Sequence, residues 1–307
     1  MIKVALTGTT GFIGNVLLSR LITQGFQVKA LYRPKTSFTP QNSDSVEWCA
    51  GDLADLRSLS TFVAGADVIV HCAGSVRGTS LKQFNQTNSS GLIRLLDAAV
   101  EQNVSRFVLM SSLAAREPSL SAYAASKKAG EDALVSYLDT ISCAVLRPPA
   151  VYGPGDREML PLLKMIKRGI VPILGNQQDR FSLIYVDDLA DAVCCLLMSK
   201  NIQKYDFFEL HDGSPDGYTW RQIAEIATYI NGKEPLCLSI PKSLMQIIAL
   251  ANLGLARLFG YQPMLTPGKI REIFHPDWTC DNSAITAATG WKPRVLFSDG
   301  MKRLFDQ

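Results

Sequence analysis

Tyr123 and Lys127 stand four residues apart in Ser121-Ala-Tyr123-Ala-Ala-Ser126-Lys127, a spacing that puts both on one face of a helix. A phenol beside an ammonium can exchange a proton with a substrate oxygen. Free tyrosine has a pKa near 10, so a competent base near neutral pH needs a drop of about 3 units, or about 4 kcal/mol. One ammonium at about 4 Å supplies about that much at an effective dielectric near 20, and the positive helix N-terminus acts in the same direction. Ser112, in the Ser111-Ser112 pair that ends the apolar run Arg106-Phe-Val-Leu-Met110, would donate to the substrate oxygen and fix it beside Tyr123. In a chain with nine tyrosines a Tyr-x-x-x-Lys spacing also arises by accident, so its meaning depends on its surroundings.

Those surroundings begin at the N-terminus. Val4-Ala-Leu6 runs into Thr7-Gly8-Thr9-Thr10-Gly11-Phe12-Ile13-Gly14 and on into Val16-Leu17-Leu18 and Leu21-Ile22: a buried strand, a glycine turn and an amphipathic helix. Gly8 permits the tight turn, Gly11 lets backbone N–H groups approach a diphosphate, and Gly14 lets the helix lie close on the strand. Thr10, Phe12 and Ile13 complete the bend, and the phosphates sit at the helix N-terminus. No Gly-Lys-Ser/Thr follows, which argues against an NTPase loop. The bland alternative is a purely structural turn. Beyond it, short apolar runs (2–6, 28–32, 46–49, 68–71, 107–110, 143–146) alternate with helical patterns (14–24, 56–63, 81–102, 122–138). That alternation predicts a Rossmann-type, doubly wound parallel α/β sheet with ligand across its C-terminal edge.

The second apolar run ends in Tyr32-Arg33-Pro34-Lys35, where an NAD-specific fold usually places a carboxylate for the ribose hydroxyls. A guanidinium grips a 2′-phosphate that a carboxylate repels, so Arg33 points to NADP, with NAD as the alternative cofactor. Asp52, followed by Leu53, could accept from an adenine amino group or cap the helix starting near Asp55. Ala73 and Gly74 are small enough to let the cofactor pass, while His71 reads as a satisfied core histidine. Asn88 lies with Gly91 in a helical pattern that suits neither, so it caps or kinks the helix, reaches a water used in proton transfer, or both.

Composition limits the partners. The formal charge of +3 over 307 residues forms no basic stripe, so nothing argues for nucleic acid. Seven scattered cysteines without a C-x-x-C pair read as reduced core residues of a cytoplasmic protein. The three histidines, His71, His211 and His275, lie too far apart in sequence to suggest a zinc site. Met1 leads straight into the first strand, with no cleavable leader expected.

Taken with Arg147-Pro148-Pro-Ala-Val151-Tyr152-Gly153-Pro154-Gly155 and Ile184-Tyr-Val-Asp187-Asp188-Leu-Ala190, these motifs resemble the extended short-chain dehydrogenase/reductase family, which includes NAD-dependent epimerase/dehydratases. The resemblance implies Tyr123 as acid/base, Lys127 as ribose-binding and pKa-lowering residue, Ser112 as substrate-orienting residue and Asn88 as helper of a proton relay. It places Pro148 and Val151 by the nicotinamide carboxamide, makes Val186-Asp187-Asp188 a structural return to the cofactor domain, and implies a homodimer. Asp187 and Asp188 read as helix caps. The departures are informative. Leu113 and Ala114 stand where related dehydratases carry an acidic pair, so elimination would lack its acid and base. Pro149 and Ala150 fall in the segment where many sugar epimerases have an Asn, and Arg180 is displaced by about one residue from their substrate-binding Arg.

The expected organisation is a dinucleotide-binding domain over 1–150, joined again by 181–200, and a smaller, mostly helical substrate lobe formed by 151–180 and 201–307. In that lobe Ser243 to Ala256 is uncharged and too short to span a bilayer, which needs about 20 residues. A buried helix is the expectation; an apolar substrate lining or peripheral membrane contact is the alternative. The functional expectation is an NAD(P)-dependent oxidoreductase acting on a small-molecule secondary alcohol or ketone. The alternatives are a nucleotide-sugar epimerase with a transient keto intermediate, and a non-catalytic NADP-sensing or scaffold protein.

Overall fold

The computed structural model describes residues 1–34, 38–40, 43–200 and 203–305. The basic loop after the second strand is therefore described at Arg33 and Pro34, and Lys35 lies outside the described residues. The first half alternates strictly: β1 (Lys3–Thr7), α1 (Phe12–Thr23), β2 (Gln27–Tyr32), β3 (Val46–Ala50), α2 (Leu56–Val63), β4 (Val68–His71), α3 (Leu81–Asn85), α4 (Leu92–Glu101), β5 (Arg106–Met110), α5 (Ala122–Leu134) and β6 (Ser142–Arg147). These strands form one parallel sheet in the order 3-2-1-4-5-6, extended beyond β6 by the strand Tyr205–Glu209. This seventh strand belongs to the sheet, although it falls within 201–307, the segment expected to form the second lobe.

The central strands are covered on both faces, which is why they read as nearly unbroken apolar runs, while β2 and the edge strand β3 carry Lys29 and Glu47. Val4 and Leu6 face α1 and its neighbour α7 (Val186–Met198), in a core with Leu17, Leu21, Leu189 and Val193. Ala5 points the other way, with Ile69 and Phe107, into a core with Phe62, Leu95 and Leu134. Arg20 pairs with Asp191 at 3.0 Å where α1 packs on α7. Asp187 and Asp188 lie in the first turn of α7 rather than at its cap, which is Tyr185. Asp188 is buried and accepts from the backbone N–H groups of Arg294 and Val295, both at 2.9 Å, fastening the C-terminal segment to the sheet.

The remaining helices are α6 (Leu160–Lys167), α8 (Trp220–Asn231), α9 (Lys242–Phe259), α10 (Pro267–Ile273), α11 (Ser283–Thr289) and α12 (Phe297–Phe305), of which α6, α8 and α12 enclose a second core with Leu163, Val171, Trp220, Phe297 and Met301. Of these, α11 sits apart from that cluster and packs on the sheet through Ile285. The expected burial of Ser243 to Ala256 fails: within α9 only Ala249 and Ala256 are buried, while Ile247, Leu250, Leu258 and Phe259 are exposed. The run is uncharged without being covered. The cysteine reading needs a similar correction, since Cys237 is exposed and Cys49, Cys72 and Cys195 are half-buried, although all seven are free thiols. Among the described residues no helix is long and apolar enough to cross a membrane.

Candidate active site

The strand order reverses between β1 and β4, and there the two loops leaving the sheet touch. Gly8 has φ +77°, and a Cβ on it would lie 2.6 Å from the backbone nitrogen of Ala73. A Cβ on Gly14 would lie 2.1 Å from the Gly8 carbonyl oxygen, so both glycines are fixed by backbone contact. Thr7 ties the loops together: its hydroxyl accepts from the Ala73 N–H at 3.1 Å and contacts His71 Nδ1 at 2.8 Å. His71 is buried, and burial first, then the Lys127 charge, push its pKa down to about 3, which keeps it neutral. Its Nε2 has no hydrogen-bond partner among the described residues, so its burial is not fully satisfied. Gly11 occupies the N-cap of α1 and provides no side-chain cap. The opening N–H groups of α1 are thereby left as the anion cradle that a diphosphate fits. Phe12 and Ile13 are half-buried there, and Thr10 and Gly11 are exposed.

Next to this cradle, Asp52 is exposed and accepts from the Ala54 N–H at 2.9 Å, while Asp55 is the residue that caps α2. Leu53 is half-buried, and its carbonyl accepts from Arg94 Nε at 2.7 Å. Between α3 and α4 the helix widens into a π-turn over Gln86–Gly91. Asn88 sits in it, buried, and the kink expected from its sequence is this turn. Its Oδ1 accepts from the Ser75 N–H at 2.8 Å, and its Nδ2 donates to the Ser75 carbonyl at 3.0 Å and to Ser126 Oγ at 2.9 Å. Asn88 thus clamps the loop after β4 onto α5.

Ser112, Tyr123 and Lys127 converge where that loop passes α5. A Cβ on Gly74 would come within 3.1 Å of Lys127 Nζ and 3.3 Å of Asn88 Oδ1, so this strip of backbone has no room for a side chain. Lys127 is buried and donates to the Met110 carbonyl at 3.0 Å. Burial pushes its pKa down to about 8, against the opposing influence of Cys72 and Glu131. Tyr123 is half-buried, with its ring 6.0 Å from that of Phe84. Burial pushes its phenol up to about 12; Ser112 draws it down through hydrogen bonding and the Glu272 carboxylate pushes it up. The expected lowering of the phenol by Lys127 and the helix N-terminus is not met by the chain's own groups, because the ammonium is turned to a carbonyl and desolvation dominates. The Ser112 hydroxyl also accepts from the Ala114 N–H at 3.2 Å and so starts the short 3₁₀ turn Leu113–Arg116.

Sequence reasoning missed the groups that hold this trio. Glu131, one turn after Lys127, is buried; it accepts from Ser111 Oγ at 2.6 Å and from Arg147 Nε and Nη2 at 2.9 and 2.6 Å. Its signal was a carboxylate at i+4 to the lysine in a run of small residues. Glu272 of α10 accepts from Ser121 Oγ, the cap of α5, and from Lys269 Nζ at 2.8 Å, and Lys269 Nζ lies 5.8 Å from the centre of the Tyr123 ring. Nothing in the sequence announced that partnership across 151 positions.

Pro148 accepts from the Leu113 N–H at 2.9 Å, bracing the Ser112 turn, and Val151 lies in the strand Ala150–Tyr152, which pairs with Leu183–Tyr185. Arg180 is drawn to Asp277 at 3.4 Å and Asp216 at 3.9 Å in the second lobe. Arg33 is exposed at the end of β2. No group of three His, Cys, Asp or Glu side chains converges as a metal site among the described residues.

The chain is 36% identical over 305 residues to a ceramide reductase of Caulobacter vibrioides, covering 99% of this chain and 93% of that one. It is 24% identical to a UDP-glucose 4-epimerase of Vibrio cholerae, covering 98% and 94% of the two chains. Its fold matches a solved structure of MoeE5 in complex with UDP-glucose and NAD, with a TM-score of 0.75 at 20% identity, over 100% of this chain and 98% of that one. Residues 4–210 match the model of the NAD dependent epimerase/dehydratase family. With its glycine cradle at the switch point of the sheet, the chain belongs to that family and is an NAD-dependent enzyme.

Proposed function

We propose that the chain is an NAD(P)-dependent reductase of a ketone carried on a long-chain, ceramide-like lipid. The observation that carries this reading is the kinship with ceramide reductase along nearly the whole of both chains. The site supports it. Leu113 and Ala114 are buried apolar residues where an elimination would need an acid and a base, and Arg180 is engaged by carboxylates of its own lobe.

The glycine turn Gly8 to Gly14 would hold the cofactor diphosphate, Asp52 and Leu53 the adenine end, and Ala73 and Gly74 the passing backbone side. Lys127 would hold the nicotinamide ribose, with Pro148 and Val151 beside the carboxamide. When bound, the nicotinamide supplies the hydride for the carbonyl carbon. Ser112 donates to the carbonyl oxygen and fixes it, and Tyr123 gives its proton to the alkoxide that develops. A phenol held protonated by burial is the form that a reduction consumes. Asn88 acts as a positioning residue here, because both ends of its amide are bonded to Ser75 and Ser126.

Net oxidation of NAD(P)H by a ceramide-type ketone, in proportion to alcohol formed, is the expected result. Turnover of a nucleotide sugar without net cofactor oxidation would replace the reductase by an epimerase, and cofactor binding without turnover of any substrate would leave a sensing protein.

We propose a preference for NADP, read by Arg33. Charge-assisted hydrogen bonds to a phosphate are worth roughly 1.5–3 kcal/mol, so Arg33→Ala should reduce the ratio of kcat/KM for NADPH over NADH by about 10- to 100-fold. An unchanged ratio would mean that Arg33 does not contact the 2′-phosphate.

A further inference from the structure

We propose that the outward face of α9 is a docking surface for an anionic lipid bilayer. The helix touches the protein along a narrow stripe of Met245, Ala249, Asn252, Leu253 and Ala256. Turned away from that stripe, Leu244, Ile247, Ile248, Leu255, Leu258 and Phe259 recur at helical spacing on the solvent side, with Ile247 65%, Leu258 75% and Phe259 71% exposed. An apolar stripe of this extent on one face of a surface helix marks an interaction site.

Charge selects the occupant. Between Glu234 and Glu272 the chain has no carboxylate, but it has Lys242, Arg257, Lys269 and Arg271; of these Lys242, Arg257 and Arg271 are exposed. An apolar helix whose own flanking segment carries cations and no carboxylate suits the boundary between acyl chains and anionic headgroups. A second copy suits it poorly, since a two-fold pairing on this face would set cations against cations with no acid to offset them.

The position suits it as well. Asn252 Nδ2 donates to the Leu265 carbonyl at 2.9 Å, fastening α9 to the segment that leads into α10, and α10 carries the Glu272 and Lys269 that border Tyr123. A bilayer on α9 would therefore lie one layer of protein from the reaction groove. The proposal stands on this surface and not on the substrate reading, and its test separates the two.

Purified full-length chain is sedimented with vesicles of phosphatidylcholine alone and of phosphatidylcholine containing about a third phosphatidylglycerol. Binding is expected to the anionic vesicles and to weaken in high salt. The double variant Ile247→Ser/Leu258→Ser should partition at least ~10-fold less, and Lys242→Ser/Arg257→Ser should lose the preference for anionic lipid. All of these residues are exposed, so melting temperature and turnover of a short, water-soluble ketone should stay at wild-type values. Absence of binding to both vesicle types, or undiminished binding of the apolar double variant, would overturn the proposal. So would a wild-type oligomer that fails to bind vesicles and dissociates in that variant, which would assign the face to a second copy.

Discussion

Tyr123→Phe should lower kcat for ketone reduction by about 10²- to 10⁴-fold, the range that a positioned general acid contributes, while leaving the fold and cofactor affinity in place. The substitution deletes one oxygen. The ring keeps its packing against Phe84, and the Lys269 ammonium stays 5.8 Å from the ring centre, so the groove retains its shape. What disappears is the proton that burial holds on the phenol up to about pH 12, and the hydrogen bond with Ser112 that works against burial. The loss should fall on kcat and kcat/KM together, because the proton is transferred only as charge develops on the substrate oxygen. NADPH affinity, read by fluorescence or thermal shift, should change little. Full turnover by the variant would mean that the proton comes from another group, and it would remove Tyr123 from the mechanism without touching the family assignment.

The parts of this molecule that were legible in the sequence share a cause. Central strands buried on both faces are apolar at nearly every position, so β1, β4 and β5 appear as short runs, and α2 was legible to the residue beside its cap Asp55. Gly8 and Gly14 were legible because backbone crowding admits no other residue there. The π-turn at Gln86–Gly91 was legible only as an oddity of composition, since its extra residue leaves the apolar period almost unchanged. The strand Tyr205–Glu209 was hidden for a different reason. It forms the sheet's edge, carries Asp206 and Glu209 half-buried, and looks like a loop by pattern. In α9, apolarity was visible and its partner was not: a pattern reports which residues avoid water, and packing alone decides whether the protein provides the shelter. The same limit applies to Lys127. Spacing placed it beside Tyr123, but the carbonyl of Met110 determines where its ammonium points.

Glu131→Gln is expected to destabilise the fold by about 3 kcal/mol and to move the alkaline limb of activity to lower pH. The first effect follows from burial. Glu131 is 1% exposed and holds the Arg147 guanidinium by two hydrogen bonds while accepting from Ser111, so an amide leaves a half-buried cation whose nearest remaining carboxylate is Glu209 at 3.9 Å. That remaining pair keeps the loss near the low end for a broken buried ion pair. The second effect runs through Lys127. Burial lowers its pKa from 10.5 to about 8, and the Glu131 charge partly opposes that fall. In the wild type, kcat/KM should be level below about pH 8 and decline above it as the ammonium discharges, since Tyr123, at about 12, is too high to titrate there. Without the negative charge on Glu131 the ammonium is less favoured, and the decline should begin at lower pH. Stability has the opposite trend: the unfolded chain binds this proton more tightly than the native one, so stability should rise as pH goes from about 8 to 10.5. Thermal melts and pH profiles of wild type and variant measure both effects. A lowered melting temperature with an unmoved limb would assign Glu131 to scaffolding alone and the limb to a group other than Lys127.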